Sequence, residues 1–323
     1  MDFLKEIGNA KRVAIAGHIR PDGDAVSSCL ATRNYIINAI PGVSVTVYLS
    51  TMPTIFSYMK GYAEVDEEYK PTEPYDVFIS LDCADKTRLD RALPFFESAK
   101  KTICVDHHES NLGFADVCEI RPHASSTCEV LYDLFSQKAE FIDDEVAMDL
   151  YTGIVHDSGV FQYSNMSRHS FEIVGALTEY DFDGPDIIQK TFYEKTYAQN
   201  QILGRVLLES VQFMDKKCIF SVVDKKTMEF YQVLPKHFEG IVNQLQKTRG
   251  TEVAIFMYEL YPQQYKVSMR SNGKVNVAKV ATVFGGGGHD RAAGVEMNGT
   301  VHDIINALSE RIEAQLKDLE KEG

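Results

Sequence analysis

The sequence lacks the features of several protein classes. None of its apolar runs approaches the ~20 residues that a membrane-spanning helix requires. Its first residues do not combine a basic region with a hydrophobic one, as a secretory signal does. It contains no repeats and no low-complexity tract. We therefore expect a globular protein of the cytoplasm that does not associate with membranes.

Cysteine is scarce and scattered. The six cysteines never form a C-x-x-C pair, and several lie inside apolar runs such as ISLDC and TICVD. This distribution is typical of buried free thiols in a reducing compartment.

Positive charge is also scarce. The net charge is −14, and residues 1–190 hold 16 Lys and Arg against 31 Asp and Glu, whereas residues 191–323 hold 17 against 16. An acidic first part suits cations, and a locally basic segment at 245–291 suits a small anion. Because no long basic stripe exists, we do not expect binding to an extended nucleic acid.

Strand-like and helix-like segments alternate through the first part of the chain. Apolar residues recur at helical spacing over 24–40, 127–138 and 143–156, and four runs between them read as strands: RVAIAGH, VSVTVYLS, YDVFISLDC and KTICVDHH. This alternation predicts an α/β fold with a doubly wound, mainly parallel sheet and helices on both faces. Ligands bind such sheets at the carboxyl ends of the strands.

The composition changes after about residue 185. Residues 186–214 read as a helical linker region, and strands follow at KCIFSVV, TEVAIFMYEL and QYKVSMRS. A glycine-rich turn, FGGGGHDRAAG, then precedes a terminal helix. We predict a catalytic domain over 1–185 and a smaller α/β domain over 215–323, with an active-site cleft between them.

Polar clusters follow the predicted strands of the first domain. HIRPDGDA comes after the first strand, LDCAD and VDHHES end two others, and a later helix ends in GIVHDSGVF. By itself, HIRPDGDA could be a turn, an acid-rich helix start or a metal site. Together the clusters supply carboxylates and imidazoles without thiolates. Such a donor set favours two Mn²⁺ ions, with Mg²⁺ or Co²⁺ as alternatives.

The clusters can be divided between two cations. One ion can be served by His18, Asp22 and Asp82, and the other by Asp24, Asp82, His107 and Asp157, with Asp82 bridging. A dinuclear site of this kind activates water and stabilises charge on a phosphoryl group during displacement.

The ordered motifs, from residue 18 to residue 294, resemble those of the DHH phosphoesterases. They are most similar to the branch that acts on oligoribonucleotides and on 3′-phosphoadenosine-5′-phosphate (pAp). The second domain resembles the DHH-associated domain of that branch through VSMRS and FGGGGHDRAAG. Ser27 and His156 depart from the family pattern, which often has Gly and Thr at these two positions, but neither departure removes a predicted ligand.

The resemblance implies the same ligand scheme and adds roles for other residues. With Asp82, the catalytic set would include His108, which touches the scissile phosphate or assists the leaving oxygen, and Asp106, which orients the histidine pair. The glycine run would present backbone N–H groups to phosphate. The implied substrate-binding residues are Arg270, Ser271, Gly286, Gly287, Gly288 and His289, with Arg249 and Arg88 as weaker candidates.

Several of these residues also have an ordinary structural interpretation. Asp157 could merely cap a helix, and the glycine run could be a plain turn. The side chains of Arg270, Arg249 and Arg88 could simply be solvated.

The resemblance implies a Mn²⁺-dependent phosphohydrolase that degrades oligoribonucleotides of about two to five nucleotides to mononucleotides and converts pAp to AMP. Linear products of cyclic dinucleotides are further candidate substrates, and a dimer is a candidate assembly. One alternative is a family II inorganic pyrophosphatase, although that family has a cluster dense in Lys and Arg where this chain has the glycine run. Another alternative is a non-catalytic nucleotide-binding sensor.

Overall fold

A computed structural model describes the backbone of residues 1–70 and 73–322 and the side chains as far as residue 318. The chain forms two compact units. The first ends at Glu194, and the second begins at Lys195. Within the described residues, no helix combines the length and the apolar content of a membrane-spanning segment.

The sheet of the first unit has five parallel strands. They are β1 Arg12–Ala16, β2 Ser44–Tyr48, β3 Val77–Leu81, β4 Thr102–Asp106 and β5 Val117–Ile120. They lie in the order β2-β1-β3-β4-β5. The chain moves outward in opposite directions from β1 and β3, and ligands bind parallel sheets outside the carboxyl ends of strands at such a switch point.

Helices cover both faces of this sheet. They are α1 Phe3–Ile7, α2 Gly23–Ala39, α3 Leu93–Ser98, α4 Thr127–Phe135, α5 Asp144–Asp157, α6 Arg168–Leu177 and α7 Gly184–Ile188. A large apolar cluster joins α2, α4 and α5 to one face through side chains such as Ile79 and Leu131. A smaller cluster joins α3 to the other face through Phe78 and Phe96. The predicted doubly wound α/β fold is confirmed.

Two local features of this unit differ from the sequence patterns. The helix predicted over 127–138 ends at Phe135, and tight 3₁₀ turns follow, interrupted at Lys138, where φ is −140°. Neither proline nor glycine marks this end. The apolar spacing alone therefore predicts a helix that is three residues too long. The strand β5 was not predicted because its four residues, VCEI, contain no continuous apolar run.

The helices α2, α4 and α5 pack closely against one another because glycines stand at two of their contacts. A Cβ added to Gly153 of α5 would lie 2.2 Å from Cys128 Sγ and 2.7 Å from Asp24 Oδ1. A Cβ added to Gly23, the first residue of α2, would lie 2.2 Å from His156 Cγ. Both contacts bring the start of α2, which carries Asp24, against α5.

The second unit contains a mixed sheet of six strands. They are β6 Val211–Phe213, β7 Cys218–Val223, β8 Val253–Tyr261, β9 Gln264–Ser271, β10 Gly287–His289 and β11 Ala292–Asn298. Their order is β10-β11-β9-β8-β7-β6, and only β7 and β8 are parallel. The predicted smaller α/β domain is confirmed.

Helices also cover both faces of the second sheet. On one face lie α8 Tyr197–Leu208, α9 Lys225–Tyr231 and α10 Ile241–Gln246. On the other lie α11 Val277–Val283 and α12 Val301–Glu322. Side chains of β9 alternate between these faces, so Met269 packs toward α11 and α12 while Arg270 projects toward α10.

The segment predicted as a linker, 186–214, runs through several elements. It comprises the end of α7, a π-helical turn at Gln189–Tyr193, then α8 and β6. The boundary between the two units lies directly after the π-helical turn.

The glycine-rich segment, expected as a turn, is partly a strand. Gly287 and Gly288 belong to β10, and β11 separates them from the terminal helix. A Cβ added to Gly286 or Gly288 would lie 2.4 Å from a carbonyl oxygen of β11, that of Gly294 or Ala292. Two of the four glycines are therefore required by the close approach of two backbones.

We predict that Gly153→Ala destabilises the first unit. Alanine is the better helix former by ~1 kcal/mol, but here its Cβ must displace Cys128 and Asp24. The 2.2 Å contact puts the cost of overpacking near the upper end of its range, ~3 kcal/mol. After the helix gain we expect a net loss of ~2 kcal/mol in the free energy of unfolding, measured by urea denaturation.

Gly175 of α6 is the matched control, because no atom lies within 4 Å of its added Cβ. Gly175→Ala should stabilise the protein by ~0.5–1 kcal/mol. If both variants were stabilised alike, the close approach of α5 to Cys128 and Asp24 would be wrong.

Candidate functional site

Three polar side chains lie where strands of the first sheet end. His18 stands two residues after β1, Asp82 directly follows β3, and His107 directly follows β4. Because all three strands are parallel, these residues meet at one edge of the sheet. His18 and Asp82 flank the switch point between β1 and β3.

Three further carboxylates come from helix ends. Asp22 caps α2, and its Oδ1 accepts hydrogen bonds from the N–H groups of Asp24 and Ala25 at 3.1 and 3.2 Å. Asp24 faces the start of α4, where its two oxygens accept from the N–H groups of Thr127 and Cys128 at 2.7 and 3.1 Å. Asp157 is the last residue of α5. Helix N-termini stabilise the negative charge of the first two carboxylates.

These side chains form two groups, and within each group the donor atoms all lie within 4.8 Å of one another. One group is His18, Asp22 and Asp82, and the other is Asp24, His107 and Asp157. Asp82 faces both groups, with Oδ2 3.6 Å from His18 Nε2 and Oδ1 3.6 Å from His107 Nε2. A third group joins Asp82 and His107 to His108. The structure thus brings the six predicted ligands together at one edge of the sheet, with Asp82 in the group of His18 and, through Oδ1, near His107.

Both histidines present Nε2 to this cluster. The Nδ1 atom of His18 lies 2.9 Å from the carbonyl oxygen of Ile19, and that of His107 lies 3.3 Å from the carbonyl oxygen of Ala124. A carbonyl can only accept, so Nδ1 carries the proton of the neutral ring. Nε2 is then the atom with a lone pair for a cation.

Burial makes the carboxylate cluster electrostatically costly. Asp24 and Asp82 are 1% and 2% exposed. Burial, followed by repulsion from Asp82 and Asp157, raises the pKa of Asp24 well above its usual range. Burial is likewise the main cause that raises the pKa of Asp157 to about 6. Burial alone would lower the pKa of His18, but hydrogen bonds to carboxylates outweigh it and raise that pKa to about 10. Protons therefore balance part of the charge, and cations would compete with them.

The donor set fits hard divalent cations. It consists of carboxylate oxygens and imidazole nitrogens. The buried thiols beside it, Cys29 and Cys128, are not thiolates, because burial raises the pKa of each well above its usual range. Oxygen-rich sets with imidazole suit Mn²⁺ or Mg²⁺ better than thiophilic metals.

Asp82 has a backbone conformation that residues other than glycine rarely adopt. Its φ is +51°, in the left-handed region. The Thr127 hydroxyl donates to Asp82 Oδ1 at 3.1 Å, which helps to hold the carboxylate in place. Such strain persists only where surrounding contacts impose it, and it is common at functional sites.

Asp106 is completely buried and holds the histidine pair. Its Oδ1 accepts from the N–H of His107 at 2.8 Å and lies 2.7 Å from His108 Nδ1. Its Oδ2 accepts from Asn111 Nδ2 at 2.7 Å. The hydrogen bond to Asp106 is the main cause that raises the pKa of His108. Sequence reasoning missed Asn111 and Thr127, because a loop amide and a helix-end hydroxyl carry no distinctive pattern.

A separate candidate site lies in the second unit. Arg270 of β9 pairs with Ala292 of β11, which pairs with His289 of β10, so Arg270 and His289 lie on the same face of the sheet. Arg270 Nε donates to Asn243 Oδ1 of α10 at 2.9 Å. No sequence pattern indicated a role for Asn243. Its exposed amide on a short helix is unremarkable until the fold places it beside Arg270.

Three predicted substrate-binding residues do not join this row. Ser271 is fully buried, and its hydroxyl donates to Glu252 Oε1 at 3.0 Å, so the prediction that it binds substrate is not supported by its position. Arg249 is exposed in the turn after α10. Arg88 is exposed on a 3₁₀ helix of the first unit, and its carbonyl oxygen accepts from the N–H of Ile19 at 2.8 Å.

The two departures from the expected motif pattern are both packed inside the first unit. Ser27 of α2 is fully buried, and its hydroxyl has no hydrogen-bond partner among the described residues. His156 belongs to none of the donor groups found in the described part of the chain, and its ring contacts Phe56 and Phe192.

Known proteins resemble this chain along nearly its whole length. The bifunctional oligoribonuclease and PAP phosphatase NrnA of Bacillus subtilis is 24% identical over 92% of this chain and 92% of its own length. The Thermus thermophilus protein of the same name is 23% identical over 96% of this chain and 91% of its own. The crystal structure of an exopolyphosphatase-related protein from Bacteroides fragilis matches with a TM-score of 0.88 at 25% identity, covering 98% of this chain and 96% of that one.

Two family models match consecutive parts of the sequence. Residues 12–154 match the N-terminal domain of the DHH family, and residues 215–318 match the DHHA1 domain. The first model covers β1 to β5 and all the predicted metal ligands except Asp157, and the second covers the row of Arg270 and His289. The chain therefore carries the N-terminal domain of the DHH family, followed by a DHHA1 domain.

Proposed function

We propose that this protein is a Mn²⁺-dependent phosphohydrolase that degrades very short oligoribonucleotides to mononucleotides and dephosphorylates pAp to AMP. The observation that carries the proposal is the position of Asp82, whose two oxygens face His18 and His107 at 3.6 Å each. This placement suits a carboxylate shared by two cations, the arrangement that phosphoryl transfer by paired metals requires.

The relatives support the choice of substrates. Two proteins that resemble this chain over more than nine-tenths of its length carry names that state oligoribonuclease and PAP phosphatase activities. Linear products of cyclic dinucleotides are short oligonucleotides of the same chemistry, and we include them among the proposed substrates.

We propose that the cations are held by the two donor groups of the first unit. One cation would be held by His18, Asp22 and Asp82. The other would be held by Asp24, His107 and Asp157, with Asp82 shared between the two cations. Divalent cations in such a site supply Lewis acidity at phosphoryl oxygens and lower the pKa of water. Mn²⁺ is our first choice because the donors mix oxygen and imidazole nitrogen, and Mg²⁺ and Co²⁺ are alternatives.

His108 is the proposed proton donor or hydrogen-bond donor to the substrate. It is one-third exposed, with Nδ1 held 2.7 Å from Asp106 Oδ1. The raised pKa keeps the ring protonated to a higher pH than that of an ordinary histidine. Its Nε2–H can then donate to a phosphate oxygen or to the leaving oxygen. Asp106 is the residue that orients this ring.

The second unit would bind a phosphate of the substrate. Arg270 and His289 offer donors on one face of the sheet, and β10 is an edge strand, with one side of its backbone unpaired in the described part of the chain. A small set of donors of this kind suits a short, multiply charged substrate. A long polymer requires many Lys and Arg contacts, which an acidic chain does not provide.

The state of the cysteines supports a cytoplasmic location. All six are free, and all except Cys118 are buried. Free thiols persist in a reducing compartment.

We predict that the purified protein with Mn²⁺ hydrolyses a 5′-phosphorylated diribonucleotide and pAp but leaves a long RNA and pyrophosphate largely intact. Asp82→Ala should abolish both activities and Mn²⁺ binding, because it removes the carboxylate that faces both donor groups. Product chromatography and titration with Mn²⁺ measure the two effects.

Asp85→Ala is the matched control for Asp82→Ala. Asp85 lies three residues further on, is exposed, and caps a 3₁₀ helix. It should retain activity and Mn²⁺ binding. Turnover of pyrophosphate alone would instead support an inorganic pyrophosphatase, and nucleotide binding without turnover would support a sensor.

We predict that Asp106→Asn lowers the pKa of His108 in the metal-free protein. The wild-type ring stays protonated until the pH passes its raised pKa, whereas the variant loses the carboxylate that stabilises the imidazolium. NMR titration of the histidine ring resonances measures the midpoint. A midpoint that does not move in Asp106→Asn would contradict the orienting role of Asp106.

We predict that Asn243→Ala weakens substrate binding. Asn243 accepts a hydrogen bond from Arg270 Nε and thereby orients the guanidinium. A misoriented Arg270 should lose a hydrogen bond to the substrate phosphate, worth ~1.5–3 kcal/mol, so KM for pAp should rise at least about tenfold with little change in kcat. Gln244→Ala, an exposed neighbour on the same helix, should leave KM unchanged. A lower kcat at constant KM would refute this positioning.

A further inference from the structure

His156 has contacts that a role in metal ligation does not explain. It is the penultimate residue of α5 and precedes Asp157. It is half-buried and belongs to neither donor group proposed to hold cations. Its ring is nevertheless held from three directions by residues of other elements.

Two aromatic rings enclose the imidazole. The ring centroid lies 5.0 Å from that of Phe56 in an edge-on arrangement, and 4.6 Å from that of Phe192. Phe56 belongs to a 3₁₀ turn at Thr54–Phe56 and is buried. Phe192 belongs to the π-helical turn Gln189–Tyr193, the last element before the second unit begins.

A hydrogen bond ties the imidazole to the same π-helical turn. His156 Nε2 lies 2.9 Å from Thr191 Oγ1. The Thr191 hydroxyl donates its only proton to the carbonyl oxygen of Ile187 at 2.8 Å. It must therefore accept from His156, which fixes the ring with its proton on Nε2.

The third contact is with the HIRPDGDA segment, which contains Gly23. A Cβ on Gly23 would lie 2.2 Å from His156 Cγ and 2.5 Å from Nδ1. The imidazole thus lies directly against the backbone of Gly23. This glycine separates Asp22 from Asp24, one carboxylate from each proposed donor group.

We infer that His156 is a positioning residue that locks the Asp22–Gly23–Asp24 segment to the π-helical turn Gln189–Tyr193. It keeps the carboxylates of Asp22 and Asp24, at the start of α2, in a constant position relative to Asp157. It also links them mechanically to the segment through which the chain enters the second unit. The inference rests on the proposed function for its metal, but the link between the two segments is a property of the protein alone.

Three variants separate the ring from its hydrogen bond. His156→Phe keeps an aromatic ring between Phe56 and Phe192 and removes the donor. Thr191→Val removes the acceptor and leaves the histidine in place. His156→Gln restores an amide donor near the position of Nε2. His169→Ala is the matched control, because His169 is exposed on α6 and pairs with Asp133.

Two measurements test the link. Hydrogen exchange of the metal-free protein reports on peptides over 20–26 and 187–193, and electron paramagnetic resonance of free Mn²⁺ reports on metal affinity. In both His156→Phe and Thr191→Val, exchange should accelerate in the two peptides together. Mn²⁺ affinity should fall about tenfold, the lower end of the range for residues that orient metal ligands. His156→Gln should recover part of the loss, and His169→Ala should match the wild type.

The inference is overturned if exchange over 20–26 remains at the wild-type rate in both His156→Phe and Thr191→Val, even if the melting temperature falls. A lower melting temperature alone would mean that His156 only fills space. Failure of the proposed metal site has a different signature, because wild type and Asp82→Ala would then bind Mn²⁺ equally. Exchange over 20–26 in the metal-free variants would still decide the role of His156.

Discussion

The burial of like charges at one sheet edge is the constraint on which the first unit depends. Asp24 and Asp82 are almost completely removed from water, and Asp157 lies close to them. An uncompensated buried carboxylate costs several kcal/mol. The helix N-terminus that faces Asp24 offsets at most ~2 kcal/mol. Helix dipoles therefore cannot stabilise the cluster alone. Protons do so in part in the metal-free protein, and divalent cations would do so fully.

The same constraint accounts for unusual backbone features around the cluster. Asp82 adopts a left-handed conformation at the end of β3, which turns its carboxylate between the two histidines. Gly23 and Gly153 let α2 and α5 approach until His156 and Asp24 fill the space that a side chain would need. These local costs are tolerated because neighbouring elements hold the same residues from several sides.

The second unit uses a different principle. Its candidate site is a row of side chains across antiparallel strands, where Arg270 and His289 share a face because pairing register places them there. Gly288 of β10 and the preceding Gly286 allow this edge strand to pack closely against the backbone of β11. Acidic residues predominate in the first part of the sequence but not in the second.

Local patterns were enough to predict much of this protein. Strand and helix periods depend on near neighbours, so the sequence determined the α/β class, four strands of the first sheet and the helices α2, α4 and α5, although not the end of α4. Distinctive residue types at strand ends also identified the metal-ligand candidates. Other features depend on long-range contacts and were decided only by the tertiary structure. These are the pairing of β5 and β10, the burial of Ser271 against Glu252, and the contacts of Asn111, Thr127, Asn243 and His156. The physical reason is that a side chain's burial and hydrogen-bond partners are set by elements distant in the sequence, whose approach no local pattern encodes.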